Sequence, residues 1–296
     1  MEEITRQELI NSEGPFPEEE IYEIDSVSGG SIHESWHIKL KNDEEFFIKT
    51  TSLDNFSMLQ YEATCLTSLR KYSNKKYLFV PKPIALRKLT NCSILVIPWL
   101  NFAGNNQKNL GIGLAHLHKN SSDNNPGKFG WSNDGFIGSG LQKGGWGSDW
   151  GKFFVTLRLI PQIQIAAKWG LVLSDYENLL QKIIFLLDKH EPKPSLVHGD
   201  LWGGNAGVNK NRQGIIFDPA SWWADREVDI AMTKLFGGFS PEFYIGYESI
   251  WKLKSDSKDR ETIYNLYHVI NHANIFAGSY IEQSLSLLNQ LNLRIK

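Results

Sequence analysis

SLVHGDLWGGN, residues 195–205, is the stretch on which the reading of this chain turns. A short apolar run leads like a buried strand into His198 and Asp200, and Asn205 follows five residues after the aspartate. Gly203 and Gly204 allow a tight turn between the two polar side chains and leave room for a ligand. Shortly after, GIIFDPA (214–220) is a second apolar run that ends in Asp218, thirteen residues beyond Asn205. Phosphoryl transfer requires a carboxylate near an incoming hydroxyl and oxygen ligands for Mg²⁺ on the transferred phosphates. Asp200 meets the first need, and Asn205 with Asp218 meets the second. Taken alone, Asp218 would read as a turn aspartate before a proline; beside 198–205 it reads as a metal ligand.

The spacing is similar to that of the protein-kinase catalytic loop, with DPA in place of DFG. Such a loop needs a nucleotide-binding half, and the residues before it supply one. Lys49 ends the apolar run FFI, where a lysine would ordinarily be solvated. Glu62 falls between Leu66 and Leu69 on a helical wheel, inside the apolar arc of the 55–71 helix. A carboxylate on a buried face needs a cationic partner, and Lys49 is the natural one. Gly29, Gly30 and Ser31, in SVSGGSIHES, form a hairpin turn able to approach phosphates closely, although a Gly-Gly pair is by itself an ordinary turn. GxxxxGK[ST] does not occur, which disfavours a P-loop NTPase. A G-x-S-x-G elbow is also missing, which disfavours an esterase.

Around these motifs the chain changes character near Leu100. Residues 21–50 read as three strands joined by turns, 55–71 as a helix, and YLFV and SILVI as further strands. Helical periodicity then dominates at about 106–119, 149–168, 174–190, 226–237 and toward the C-terminus. Residues 120–148 carry eight glycines between Gly127 and Gly147 and little regular pattern, so a long functional loop is expected there. A small β-rich part followed by a larger helical part predicts an α+β, two-lobed architecture.

Composition narrows the partners. With 31 basic and 33 acidic residues the formal net charge is −2, so no global basic field gathers nucleic acid or coats an acidic membrane. The N-terminus, MEEITRQELI, is acidic and lacks an apolar signal-peptide core. The sequence contains no apolar stretch near the roughly 20 residues that span a bilayer. Cys65 and Cys92 are too few for a disulfide framework. A cytoplasmic protein with two reduced thiols is expected. Tryptophans at 131, 146, 150, 202, 222 and 223 lie near polar loops, where several could floor a pocket. His116 and His118, and His268 and His272, sit on helices and read as packed or solvated faces.

Taken together the motifs resemble the fructosamine kinase family, also called ketosamine-3-kinases. SGGSI (28–32), FGWSNDGFIG (129–138), Trp146 to Gln162, LVHGDLWGGN (196–205), IIFDPA (215–220) and DREVDIAMTKLFGGF (225–239) occur in order over nearly the whole chain. The resemblance implies a protein-kinase-like fold with ATP and Mg²⁺ between the lobes. It further implies transfer of the γ-phosphate to the 3-hydroxyl of a ketose joined to an amine, as a small molecule or on a glycated protein. Asp200 is then the base, Asn205 and Asp218 hold metal, and Lys49 with Glu62 positions phosphates beneath Gly29, Gly30 and Ser31. Pro98, Trp99 and Leu100 fall where a hinge would meet adenine, Pro98 through its carbonyl and Leu100 through its N–H. Trp202 is placed to hold the sugar, with His198 and Asp229 as support, the latter on a helix capped by Asp225. The lobes would comprise 1–97 and 105–296, with 98–104 as hinge.

Two departures bear on the acceptor. His33 stands where the family commonly has asparagine, and SWW (221–223) replaces a more usual tyrosine-containing stretch. A kinase for an aminoglycoside- or choline-like hydroxyl, or a nucleotide-binding pseudokinase, remains an alternative; the filled metal and base positions argue against the latter.

Overall fold

The computed structural model describes residues 1–17, 19–28 and 33–295. Helix α1 (Glu3–Ile10) precedes strands β1 (Ile21–Val27), β2 (Glu34–Leu40) and β3 (Glu45–Thr51). Helix α2 (Phe56–Tyr72) and strands β4 (Leu78–Phe79), β5 (Ala85–Lys88) and β6 (Ser93–Pro98) follow. The first antiparallel sheet has the order β1-β2-β3-β6-β5. Its two faces are sorted by the two-residue period of extended chain. Ile38, Ile48, Ile94 and Val96 pack with Leu9 of α1, whereas Leu95 and Ile97 pack with Leu59, Ala63, Leu66 and Leu69 of α2. Lys49 alternates with Ile48 and therefore lies on the α2 side. Each fully buried leucine of α2 contributes roughly 2 kcal/mol, so the helix is anchored firmly enough to present a carboxylate inward.

The chain then turns helical. Helix α3 (Lys108–Asp123) is followed by four three-residue strands, β7 (Phe129–Trp131), β8 (Gly135–Ile137), β9 (Gly140–Gln142) and β10 (Gly145–Gly147). The expectation of a long irregular loop over 120–148 is therefore corrected. Strands of three residues, made mostly of glycine and aromatics, are too short to show an alternating pattern. They are not incidental: β8 pairs with β9, and the sheet β10-β7-β14-β11 joins this segment to β11 (Ser195–Val197) and β14 (Trp222–Ala224). β11 is the strand that delivers the 198–205 loop.

The helix expected over 149–168 is interrupted. It consists of α4 (Trp150–Phe154), a widened π-type turn over Val155–Leu159, and α5 (Ile160–Ala166). Pro161 has no N–H to give to the preceding turn, which accounts for the break in the ladder. Helix α6 (Glu177–His190) precedes β11, and β12 (Ala206–Val208) pairs with β13 (Gly214–Ile216), which runs parallel to β4. Helices α7 (Glu227–Leu235), α8 (Pro241–Ile250), α9 (Ser257–Phe276) and α10 (Ser279–Arg294) complete the chain. Among the described residues no helix is long and apolar enough to cross a membrane.

The tryptophans range from buried to exposed. Trp150 and Trp222 are buried in the large helical core, with rings 5.8 Å apart, and Trp223 is 9% exposed. The Arg158 guanidinium stacks on Trp222 at 4.0 Å. The SWW stretch thus packs the interior. Trp146 and Trp202 are the most exposed of them, at 42% and 39%.

Candidate active site

Two loops are pinned together at the head of β11. Ala220 N donates to His198 O at 2.9 Å, and Gly199 lies so close that a Cβ there would be 2.1 Å from Ala220 O. Gly199 also has φ +84°, in the left-handed region that glycine adopts without strain. His198 locks the pair further: Nε2 lies 2.9 Å from Phe217 O, and Nδ1 accepts from Asp200 N at 3.3 Å. A carbonyl can only accept, so Nε2 carries the proton and Nδ1 the lone pair. Burial pushes the His198 pKa down, against the opposing pull of Asp229 and the Phe217 carbonyl, and the neutral ring is the form this bonding requires.

Asp229, on α7, holds the loop from below. Its Oδ2 accepts from His198 N at 2.7 Å and its Oδ1 from Gly199 N at 2.9 Å. Burial would raise its pKa, but the hydrogen bond and charge of His118, with His198 and the Gly199 N–H, hold it below the usual carboxylate value. Asp225 Oδ1 accepts from Glu227 N at 3.1 Å at the start of the same helix. Sequence reasoning missed the rest of this brace. His118 Nε2 is 3.0 Å from Asp229 Oδ2, its Nδ1 is 2.9 Å from Tyr247 Oη, and Arg226 Nη1 donates to Tyr247 Oη at 3.0 Å. His118 carries no local signal beyond its place on a helix.

At the mouth, Asn205 Nδ2 donates to Asp200 O at 2.9 Å, to Asp200 Oδ2 at 3.2 Å and to Asp218 O at 3.4 Å. All three neighbours are acceptors, so the amide nitrogen must face them and Asn205 Oδ1 is turned elsewhere. Burial, then repulsion from Asp218, lifts the Asp200 pKa to about 7, with the Asn205 amide opposing.

From the first sheet, Lys49 Nζ donates to Glu62 Oε1 and Oε2, both at 2.8 Å, and to Asp218 Oδ1 at 2.6 Å. Lys49 and Glu62 are each 8% exposed in their side chains, whereas Asp218 is 50% exposed and faces open space. Burial weighs against the charge of Lys49, but Asp218 and Glu62 overcome it and raise its pKa. One ammonium serves two carboxylates unequally. Asp218 is lowered despite its desolvation because Lys49 is so close, while Glu62 rises to about 7 because burial and the Asp218 charge outweigh its share of the lysine.

The donor set suits Mg²⁺. Asn205 and Asp218 each offer a hard oxygen, and Mg²⁺ takes few protein ligands and completes its shell with water and phosphate oxygens.

Lys49, Glu62, Asp200, Asn205 and Asp218 are thus brought to one place. Trp202 stands at its rim. The ring lies over Gly204, where a Cβ would be 2.2 Å from the indole, and Gly203 packs against Gly237 and Gly238. The glycines serve packing, and the expectation that they leave room for a ligand is corrected. β6 ends at Pro98; Trp99 N donates to Glu45 O at 3.0 Å and its ring packs at a tilt, 4.1 Å from His37. Trp99 N–H is therefore committed within the sheet. Gly29, Gly30 and Ser31 lie outside the described residues.

Comparisons with known proteins identify the family of the chain. Residues 2–294 match the fructosamine kinase family. A protein of Vibrio parahaemolyticus named a probable ketoamine kinase is 38% identical over 269 residues, covering 90% of this chain and 91% of the relative. A crystal structure from Haemophilus somnus, provisionally assigned as a fructosamine-3-kinase, superposes with a TM-score of 0.82 at 30% identity, over 92% of this chain and 91% of that one. A spectinomycin phosphotransferase bound to ADP and spectinomycin shares the fold alone, with a TM-score of 0.53 at 15% identity over 93% of this chain and 90% of that one. This chain belongs to the fructosamine kinase family and is a kinase of the protein-kinase-like fold.

Proposed function

We propose that this kinase transfers the γ-phosphate of ATP to the 3-hydroxyl of a ketoamine, a ketose joined to an amine on a small molecule or a protein. The observation that carries the reading is the convergence of Asp200, Asn205 and Asp218 with the Lys49–Glu62 pair on one opening. In this reading residues 1–97 and 105–296 are the two lobes and 98–104 the hinge. Pro98 O and Leu100 N–H meet adenine, and Lys49, held by Glu62, meets the α- and β-phosphates. Asn205 and Asp218 hold Mg²⁺, which when bound neutralises charge on the transferred phosphate. Asp200, with its pKa near 7, accepts the proton of the attacking hydroxyl and orients it. The relatives named ketoamine kinases support the acceptor class. Trp202, 39% exposed beside the base, offers a flat apolar face to the C–H side of a sugar.

Two variants test the roles. Asp200→Asn retains nucleotide binding and loses about 10²–10⁴-fold in turnover; a variant with half the wild-type rate contradicts the assignment. Trp202→Ala raises KM for the ketoamine and leaves KM for ATP in place. Equal changes in both constants would mean that the indole props the loop and does not touch the sugar.

A further inference from the structure

Ser35 lies opposite Lys49 where β2 pairs with β3. His33 is two residues earlier, at a bend immediately before β2. Its Nδ1 is buried and has no hydrogen-bond partner among the described residues. The two charges acting most on the ring are Lys49 and Asp218, which touch each other at 2.6 Å. Burial and then the Lys49 charge lower the His33 pKa, so the ring is neutral near pH 7 and has one N–H to give. An unpartnered polar nitrogen is unfavourable in a buried position. Here the ring is near enough to Lys49 and Asp218 to feel both charges, where a bound ligand would supply the acceptor.

We propose that His33 Nδ1–H donates a hydrogen bond to a terminal phosphate oxygen of the bound nucleoside triphosphate, so that the site distinguishes triphosphate from diphosphate. The inference rests on the kinase reading above and adds to it a phosphate ligand from the first sheet. It also commits to one atom. The Nδ2 of an asparagine falls near the place of a histidine Nδ1, and the amide nitrogen of a glutamine falls nearer Nε2. An asparagine at 33 therefore keeps the contact and a glutamine loses it.

The test is calorimetric titration of the wild type and of His33→Ala, His33→Asn and His33→Gln with Mg²⁺ and AMP-PNP, ADP or AMP. We expect His33→Ala to weaken AMP-PNP about tenfold, the size of one charge-assisted hydrogen bond, with ADP and AMP within about twofold. His33→Asn restores most of the AMP-PNP affinity and His33→Gln does not. Unchanged AMP-PNP affinity in His33→Ala overturns the proposal, as does a parallel loss for all three nucleotides, which would mark a prop for the sheet. Rescue by glutamine in place of asparagine also overturns it. A wild type that binds AMP-PNP while His33→Ala behaves identically removes only His33; a wild type that binds no nucleotide removes the kinase reading and this inference together.

Discussion

His118 Nε2 lies 3.0 Å from Asp229 Oδ2, with both side chains wholly buried beneath the 198–200 loop. Asp229 thereby collects three donors, two of them the backbone N–H groups that precede the candidate base. An anion buried this deeply is stable only with its donors in place. His118→Leu removes one of them and leaves the aspartate under-solvated, at a cost of roughly 2–4 kcal/mol. His118 touches no reactant, so it is a positioning residue. The expected outcome is a lower Tm and a lower kcat with KM for ATP nearly unchanged, measured by thermal unfolding and steady-state kinetics. A fall in Tm with kcat intact would reduce the brace to a purely structural one.

Glu62 shares Lys49 with Asp218. In Glu62→Gln the ammonium keeps only the Asp218 carboxylate and is drawn onto it, which both displaces the phosphate-binding cation and occupies a metal ligand. Loss of one partner from a fully buried charge pair costs about 3–5 kcal/mol. KM for ATP and the Mg²⁺ requirement should rise together, by about tenfold or more, with turnover reduced. An enzyme with unchanged constants for both would show that the pair has no part in nucleotide binding.

How much of this was legible in the sequence depends on the distance between partners. Asp200, Asn205 and Asp218 fall within one short stretch, and its spacing is similar to that of the protein-kinase catalytic loop. Lys49 and Glu62 could be paired because a carboxylate on an apolar helical face demands a cation. His118 and Asp229 are separated by 111 residues, and neither position violates its local pattern, so nothing in the sequence joined them. Strands β7–β10 were illegible for a different reason: three residues cannot display a period of two. β8 and β9 pair with each other, whereas β10 and β7 join a sheet with β14 and β11, which lie far along the chain.

His268 makes stability depend on acid. It is fully buried, neither ring nitrogen has a partner among the described residues, and burial drives its pKa down to about 3. The unfolded chain restores the ordinary value of 6.5. A depressed folded pKa means that stability is complete above about 6.5 and declines as pH falls, because the unfolded state takes up a proton that the folded state refuses. Between pH 7 and 5 the loss from this residue is about 2 kcal/mol. Denaturant unfolding of the wild type and His268→Leu at the two pH values measures it. The variant should be the less acid-sensitive by that amount, and identical acid sensitivity would show that His268 does not titrate as its burial requires.

The central claim is that a ketoamine hydroxyl receives the γ-phosphate of ATP at Asp200. The most direct measurement incubates the purified protein with Mg-ATP and a fructosamine, a ribulosamine, the 3-deoxy analogue of each, an aminoglycoside and choline, and follows ADP release together with the phosphorus NMR spectrum of the products. The account predicts ADP formation with at least one of the two ketoamines, a new phosphomonoester resonance coupled to the proton on C-3, and no transfer to either 3-deoxy analogue. Phosphorylation of the aminoglycoside or choline with none of either ketoamine, or a phosphate placed on another carbon of the sugar, would contradict it.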